Sequence, residues 1–477
     1  MGSAGKFKSL PASLSLKTEN IMKKTIQIIM VLCLAVCMGC EEFLDERPRK
    51  NLVVPQSIAD LQGLLDNSQT GSMNTSPGMW LIGSDDVWTD DLGYASYNTV
   101  AERNAYLWKE EVFDTPLSGD WTNPYRQVFA SNVVLFESEK IVPSTAEERS
   151  RLDNVIGSAH FYRAKAFYDL LQVFAPPYEP GGNNAADGII LRLSPEIDQV
   201  LPRSSVGVCY AQVLEDLDLA IEKLPNLPQV YSRPSKASAW AMKARVFLSM
   251  EDYAAAENAA MQSLAIKDHL LDLNQIQEGL PFPISQLNNE VLFHSQMINY
   301  NFTTNARTFI DSTLIKSYGE HDLRKQVYFL ERGPMNYTFR GHFTGSVNAF
   351  SGLSVGEVML TAAEAKVRNG KVADGLGLLN QFLVSRYEEG TFEPYSINDP
   401  AEALETVLLE RRKELVFRGL RWTDLRRLNR DSRFAKTLVR EIGGETFQLP
   451  PGSNRYVYPI PQEELDYSGV SQNDRSN

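Results

Sequence analysis

LERRKELVFRGLRWTDLR, residues 409–426, is the stretch on which the architecture turns. It holds no proline, and its apolar residues recur at helical spacing. It therefore predicts two helices, over residues 400–418 and 421–430. Its charges alternate in sign, which reads as ion pairs along a wet helical face rather than as a basic patch. Trp422 falls inside the helical pattern and is assigned to packing.

Moving outward, the same period recurs through most of the chain. Residues 357–386 (EVMLTAAEAKVRNGKVADGLGLLNQFLVSR) read as a pair of helices, and so do residues 235–250 and 252–267. In the latter pair Trp240, Ala244, Phe247, Ala256, Ala260 and Ser263 occupy the positions where tetratricopeptide repeats place a large residue, small residues and an aromatic. An offset of 119 residues brings Trp240, Ala244, Ala256 and Ala260 onto Met359, Ala363, Gly375 and Leu379, a second and more degenerate copy. Further helices are expected over 121–140, 147–174 and 205–224. A shorter one is expected over 57–66, with Ser57 as N-cap and Asp60 in the capping-box position. The predicted class is mainly α: tetratricopeptide-like helix pairs over 121–267 and 357–430 form a scaffold beside a loop-rich, mixed region. That region comprises residues 68–120, rich in Gly, Ser, Asn, Asp and aromatics, and residues 275–355, where a few short strands and long loops fit better than helices. Long insertions between repeats more often carry function than not.

The chain has 477 residues and is 43% hydrophobic, the composition of a globular protein. Its 47 basic residues against 60 acidic ones leave a formal charge of −13, which argues against a nucleic-acid partner. At the N-terminus, residues 22–40 read MKKTIQIIMVLCLAVCMGC. Two lysines, an apolar run too short to span a bilayer, and Gly39 before a cysteine read as a bacterial lipoprotein signal peptide over 22–39. Cys40 is then the lipidated first mature residue. Residues 1–21 read as a start-site extension, residues 40–56 as a lipidated tether and residues 57–477 as a single domain. Without residues 1–39, which carry five lysines and one acid, the charge falls to −17.

Three stretches together resemble the SusD/RagB family of Bacteroidetes outer-membrane lipoproteins: AEA, R-x-G and LLN within 357–380; the opening stretch at 409–426; and YVYPIPQEELDYSGVSQND at 456–474. Cys40 and the tether residues Phe43, Leu44, Asp45 and Pro48 extend the resemblance over essentially all of 40–477. Arg418 stands where the family usually has Glu before Gly. The resemblance implies a SusD-like fold with four tetratricopeptide-like helix pairs and with the loop-rich, mixed region as its ligand-binding part. It implies a lipid-anchored protein at the cell surface of the outer membrane that binds a nutrient, most often a glycan. The ligand would pass to a SusC-like TonB-dependent transporter as partner. No cofactor and no catalytic or metal site is implied.

Sugar capture needs flat apolar faces and a few polar groups to orient hydroxyls. The candidates are Trp80, Asp85, Asp86, Trp88, Tyr94 and Tyr97 from the first loop-rich region, and Tyr300, Phe302 and Arg307 from the second. GSDDVW, residues 83–88, resembles the acidic turn that the family carries beside its ligand site. Trp80 and Trp88 flank that turn and are preferred over Trp108 as stacking platforms. Asp85, Asp86, Asp90 and Asp91 lack the alternating spacing of a calcium loop and read as a solvated acidic turn or as ligand acceptors. Two alternatives stay open: a surface-anchored glycan-active hydrolase and a tetratricopeptide-type protein-binding scaffold. Gly352-Leu353-Ser354-Val355-Gly356 matches a nucleophile elbow. In that fold the base histidine follows the serine, and histidines 160, 269, 294, 321 and 342 all precede Ser354.

Overall fold

The computed structural model describes Gly2 and residues 55–67, 72–277 and 279–476. The expected signal peptide over 22–39, Cys40 and the expected tether as far as residue 54 lie outside the described residues. The helices of eight or more residues are α1 (Ile58–Leu65), α2 (Gly119–Ser138), α3 (Ala146–Phe174), α4 (Val206–Lys223), α5 (Lys236–Ser249), α6 (Tyr253–Ile266), α7 (Val355–Arg368), α8 (Val372–Val384), α9 (Pro400–Glu414) and α10 (Leu420–Leu428). Each of the helical segments expected from the sequence is present, within a few residues. At α1 the Ser57 hydroxyl accepts from the Asp60 N–H at 3.2 Å, and the Asp60 carboxylate accepts from the Ser57 N–H at 3.0 Å. This is the capping box that the spacing predicts.

Neighbouring helices pack in chain order. α2 lies on α3, α3 on α4, α5 on α6 and α7 on α8, while α6 against α7 joins the two halves of the scaffold and α9 packs on α7. The small residues of the repeat pattern explain the closeness of the crossings. Ala244, Ala256, Ala260 and Ser263 are buried, and so are Met359, Ala363, Gly375 and Leu379. A Cβ on Gly375 would lie 2.8 Å from the Ala363 carbonyl oxygen and 2.6 Å from a Val367 methyl, so only glycine lets α8 approach α7 this closely.

The strands are short and pair across long distances. They are β1 (Thr75–Ser76), β2 (Val87–Trp88), β3 (Val291–Phe293), β4 (Gln296–Met297), β5 (Phe309–Ile310), β6 (Phe329–Gly333), β7 (Asn336–Phe339), β8 (Leu353–Ser354), β9 (Leu438–Ile442) and β10 (Glu445–Leu449). β1 pairs with β4 in parallel, and β2 pairs with β5 antiparallel, with Val87 opposite Ile310 and Trp88 opposite Phe309. These two ladders join the two loop-rich regions to each other. β6–β7 and β9–β10 are hairpins. The first region also carries three short helices, Met79–Gly83, Asp91–Ala95 and Val100–Tyr106, where the composition predicts loops.

The wet face expected over 409–427 is not wet. The buried stripe of α9 begins with Ala403, Leu404 and Val407 and continues at the same spacing through Glu410, Arg411 and Glu414. Lys413, Arg418, Asp424, Arg426 and Arg427 are buried as well, and none of these charged residues exposes more than 6% of its surface. Local pairs of the kind expected are present, Lys413 with Glu410 at 2.9 Å and Arg427 with Asp424 at 2.8 Å, but most of the charge is met by residues distant in sequence. Arg386 bonds Glu414 at 3.0 Å and Glu290 at 2.8 Å; Arg324 bonds Glu410 at 2.5 Å and Asp322 at 2.7 Å; Lys413 reaches Asp322 at 2.8 Å. Arg427 is held by Glu364 at 2.5 Å and by Asp424 at 2.8 Å. Burial works to raise the Glu414 carboxyl, but Arg386, Arg418 and Arg324 outweigh it and hold the group below the ordinary carboxylate range. Asp424 is likewise carried down to about 2, against burial, by Arg411 and Arg427.

The C-terminal signature has a hydrogen-bonding reason. The Asn473 amide donates to the carbonyls of Phe174 and Tyr458, both at 2.8 Å, and the Gln472 side chain brackets Ile460 through its N–H and its C=O. The pair therefore pins the last turn of α3 and the Pro-Ile-Pro segment together.

Replacing Glu414 by Ala leaves Arg386, Arg324 and Arg418 short of a buried counter-charge. It is expected to cost about 3–5 kcal/mol of folding stability. Asp431→Ala, which breaks the partly exposed Asp431–Arg433 pair at 2.6 Å, should cost about 0–1 kcal/mol. Chemical denaturation of the two variants side by side checks the contrast.

Candidate functional site

A cleft of about 730 Å³ opens between β2, the Asp91–Ala95 helix and the β9–β10 hairpin. Its apolar rim is made by Trp88, Leu92 and Val439, which expose 36%, 68% and 54% of their surfaces. Trp88 is held by its strand pairing with Phe309, whose ring centroid lies 5.0 Å from that of Trp88. Alternation along β2 sends Val87 into the core and Trp88 outward.

The floor is ionic. Arg421 bonds Asp85 at 2.6 Å, and Lys436 reaches the same carboxylate at 2.5 Å. Arg412, from α9, bonds the Asp86 carboxylate at 3.1 Å and the Asp85 carbonyl at 2.9 Å. Burial opposes ionisation of Asp85, but Arg421, Arg412 and Lys436 prevail and hold it well below its ordinary value. Asp86 goes the other way. Burial, reinforced by the neighbouring Asp85 charge and only partly offset by Arg412, raises it to about 6. At the rim the Asp90 carboxylate accepts from Arg307 Nε at 2.8 Å and from the Gly93 N–H at 2.9 Å. Asp91 accepts from the Gly443 N–H at 2.8 Å, which ties the hairpin tip to the opposite wall. The tip residues Gly443 and Gly444 have φ of +62° and +78°, backbone that a two-residue hairpin turn requires and glycine supplies without strain. Arg440, from the buried face of β9, lies 3.8 Å from the Tyr106 ring centroid and 4.3 Å from that of Trp108, and donates to the carbonyls of Ile82, Ser84 and Tyr106.

The sequence candidates divide accordingly. Trp88 and Asp85 line the cleft, Arg307 clamps Asp90 at its edge, and half-buried Tyr94 belongs to the aromatic cluster behind it. The expectation for Trp80 is corrected. It is 4% exposed, its indole N–H points at Met297 Sδ at 3.4 Å, and a Cβ on Gly419 would lie 2.5 Å from Trp80 Nε1. Gly419, with φ +74°, is the glycine of the opening stretch, and Trp80 packs against it. Tyr97 and Phe302 are also core residues. The Tyr97 hydroxyl meets that of Thr308 at 3.0 Å, and the Phe302 ring packs on Tyr97 and Tyr106. Tyr300 donates its hydroxyl to the buried Asp120 carboxylate. Asp86 is neither solvated nor free to meet a ligand, because it is buried against Arg412. Trp108, the less favoured platform, is buried with its N–H on the Gly83 carbonyl at 2.9 Å.

Sequence reasoning missed the β9–β10 wall, although Gly443-Gly444 between two short alternating runs is a hairpin signal. Ser354, the residue of the apparent nucleophile elbow, is buried. Its hydroxyl accepts from Arg418 at 2.7 Å and from the Glu357 N–H at 3.4 Å as the N-cap of α7. Among the described residues no three His, Cys, Asp or Glu side chains converge as metal ligands, and no helix is long and apolar enough to cross a membrane.

Two family profiles match the chain. One, SusD-like and described as starch-binding and associating with the outer membrane, covers residues 42–248; the other, the SusD family, covers residues 295–474. SusD-like protein P2 of Formosa agariphila is 24% identical over 93% of this chain and 97% of its own. Among solved structures, a SusD superfamily protein from Bacteroides thetaiotaomicron superposes with a TM-score of 0.69 at 19% identity, covering 88% of this chain and all of that one. A SusD-like carbohydrate binding protein from Bacteroides vulgatus gives 0.67 at 18% identity, covering 87% and 97%.

The raised Asp86 carboxyl generates a test with a defined sign. Its stabilising contribution is present in full below the unfolded value near 4 and is lost as pH rises through about 6. Asp86→Asn, which mimics the protonated form, should remove that loss. Its melting temperature relative to wild type should rise between pH 4 and pH 7 and then level off. A difference independent of pH would show that Asp86 does not titrate in this window.

Proposed function

Because the chain belongs to the SusD/RagB family, we propose that it captures a glycan in the Trp88 cleft and delivers it to a SusC-like TonB-dependent transporter. In this reading it sits at the cell surface, held in the outer membrane through lipid on Cys40. The observation that carries the binding role is Trp88 itself: a tryptophan exposed over 36% of its surface, braced by Phe309, at the mouth of a 730 Å³ cleft. An indole face is a platform for the C–H face of a pyranose. Around it stand Asp90 and Asp91, acceptors fixed in place by Arg307 and by the Gly443 N–H, which suit the orientation of hydroxyls.

Binding rather than hydrolysis is favoured by the state of the carboxylates. A general acid needs a raised pKa and access to the scissile bond. Asp86 has the first but is buried against Arg412, while Asp85 is held ionised by three cations. The capture role is also supported by the relatives, one of which is called a carbohydrate binding protein.

Titration calorimetry against a panel of neutral oligosaccharides and polysaccharides tests the reading. Trp88→Ala is expected to weaken binding at least thirtyfold, about 2 kcal/mol, with a smaller loss of stability than a buried tryptophan would give. Trp80→Ala should instead lower stability by about 3–5 kcal/mol. Unchanged affinity in Trp88→Ala would remove the site assignment, product release from a bound polymer would make the protein a hydrolase, and failure to co-purify with a barrel transporter would remove the delivery step.

A further inference from the structure

The charged groups of the cleft are unevenly matched. Among the described residues two basic side chains line it, Lys436 and Arg440, and both are committed. Lys436 is paired with Asp85 at 2.5 Å. Arg440 spends its guanidinium on three backbone carbonyls, and the faces of Tyr106 and Trp108 lie within 4.3 Å of it. The nearby Arg307, Arg412 and Arg421 are likewise held, by Asp90, Asp86 and Asp85. A sulfate or carboxylate on a ligand would have to compete for these cations with Asp85, Asp86 and Asp90 or, at Arg440, with the backbone carbonyls, and it gains less from them than from an unpaired base.

The acids are not all matched. Asp91 accepts from the Gly443 N–H, and among the described residues no base stands within ion-pair distance of it or of Glu441, on the exposed face of β9. The two carboxylates come from opposite walls of the cleft. They can accept hydrogen bonds from sugar hydroxyls and repel an anionic substituent at the same place.

We infer that the cleft selects uncharged glycans and excludes sulfated and uronate-bearing ones, with Asp91 and Glu441 as the discriminating residues. The inference rests on the glycan reading above and adds the ligand's charge class to it. It differs from a general repulsion by the acidic chain, because at about 0.15 M salt charges farther than about 8 Å are screened.

The experiment is affinity electrophoresis or calorimetry at about 0.15 M salt, using neutral glucans, galactans and mannans, each paired with a carboxymethylated or sulfated form of the same polymer. The neutral form is expected to bind at least tenfold tighter than its anionic counterpart. In the double variant Asp91→Asn, Glu441→Gln the ratio of neutral to anionic affinity should shrink at least threefold, whatever affinity the neutral form itself loses with the two acceptors; the Asp91→Asn change retains an amide oxygen as acceptor for the Gly443 N–H, so the hairpin tip stays tied. Equal or tighter binding of the anionic forms by wild type would overturn the charge selectivity while leaving glycan capture standing. A ratio unaltered by the double variant would overturn the assignment to Asp91 and Glu441. No binding by either form of any polymer would overturn the glycan reading and this inference with it.

Discussion

A buried arginine has to meet its carboxylate inside the protein, and this condition holds the long insertion to the helical scaffold. Glu290, Asp322 and Arg324 lie in or beside the short strands of the insertion; Arg386 follows α8; Glu410, Lys413 and Glu414 belong to α9. All are buried; Asp322 with Arg324 and Glu410 with Lys413 pair locally, but Arg386 with Glu290 and Glu414, Arg324 with Glu410 and Lys413 with Asp322 meet only if these segments dock in one register. Such a network adds little net stability over an apolar core, since every ion in it has lost its hydration. What it imposes is partner choice, because any other docking strands a charge.

α9 distributes this constraint in three directions. Glu410, Lys413 and Glu414 face the insertion and Arg386. Arg411 turns to Asp424 of α10, at 2.9 Å, and to Thr361 of α7, at 3.2 Å. Arg412 points the remaining way, to Asp86 and Asp85 beneath the cleft. One helix thereby ties the repeats, the insertion and the floor of the candidate site to a single frame. Trp88 is set on that frame by a strand pairing with Phe309, and the opposite wall is locked to it through Arg440.

The helices were legible because their signals are local. Capping by Ser57 and Asp60, small residues at fixed offsets and breaks at proline or glycine all act within a few positions. The charges of 409–427 were misread for the same reason. Within the stretch they pair plausibly with one another, and nothing in it announces that Glu290, Asp322 and Glu364 will arrive from elsewhere. The candidate aromatics show the same limit. Trp80 and Trp88 are equivalent in composition and flank one turn. Which of them faces the cleft depends on a ladder between residues about 220 positions apart, and on Gly419 opening the space that Trp80 fills. No local pattern carries that information.

The same accounting locates the chain's charge. Twelve bases and thirteen acids are buried among the described residues, so the core is close to neutral. The formal excess of acids therefore belongs almost wholly to groups outside it. Arginines that would otherwise have offset those acids at the surface are consumed in holding the frame together. The cleft inherits this partition: its cations are engaged from below, its unmatched carboxylates stand at the rim, and its stacking platform is the tryptophan that the core did not take.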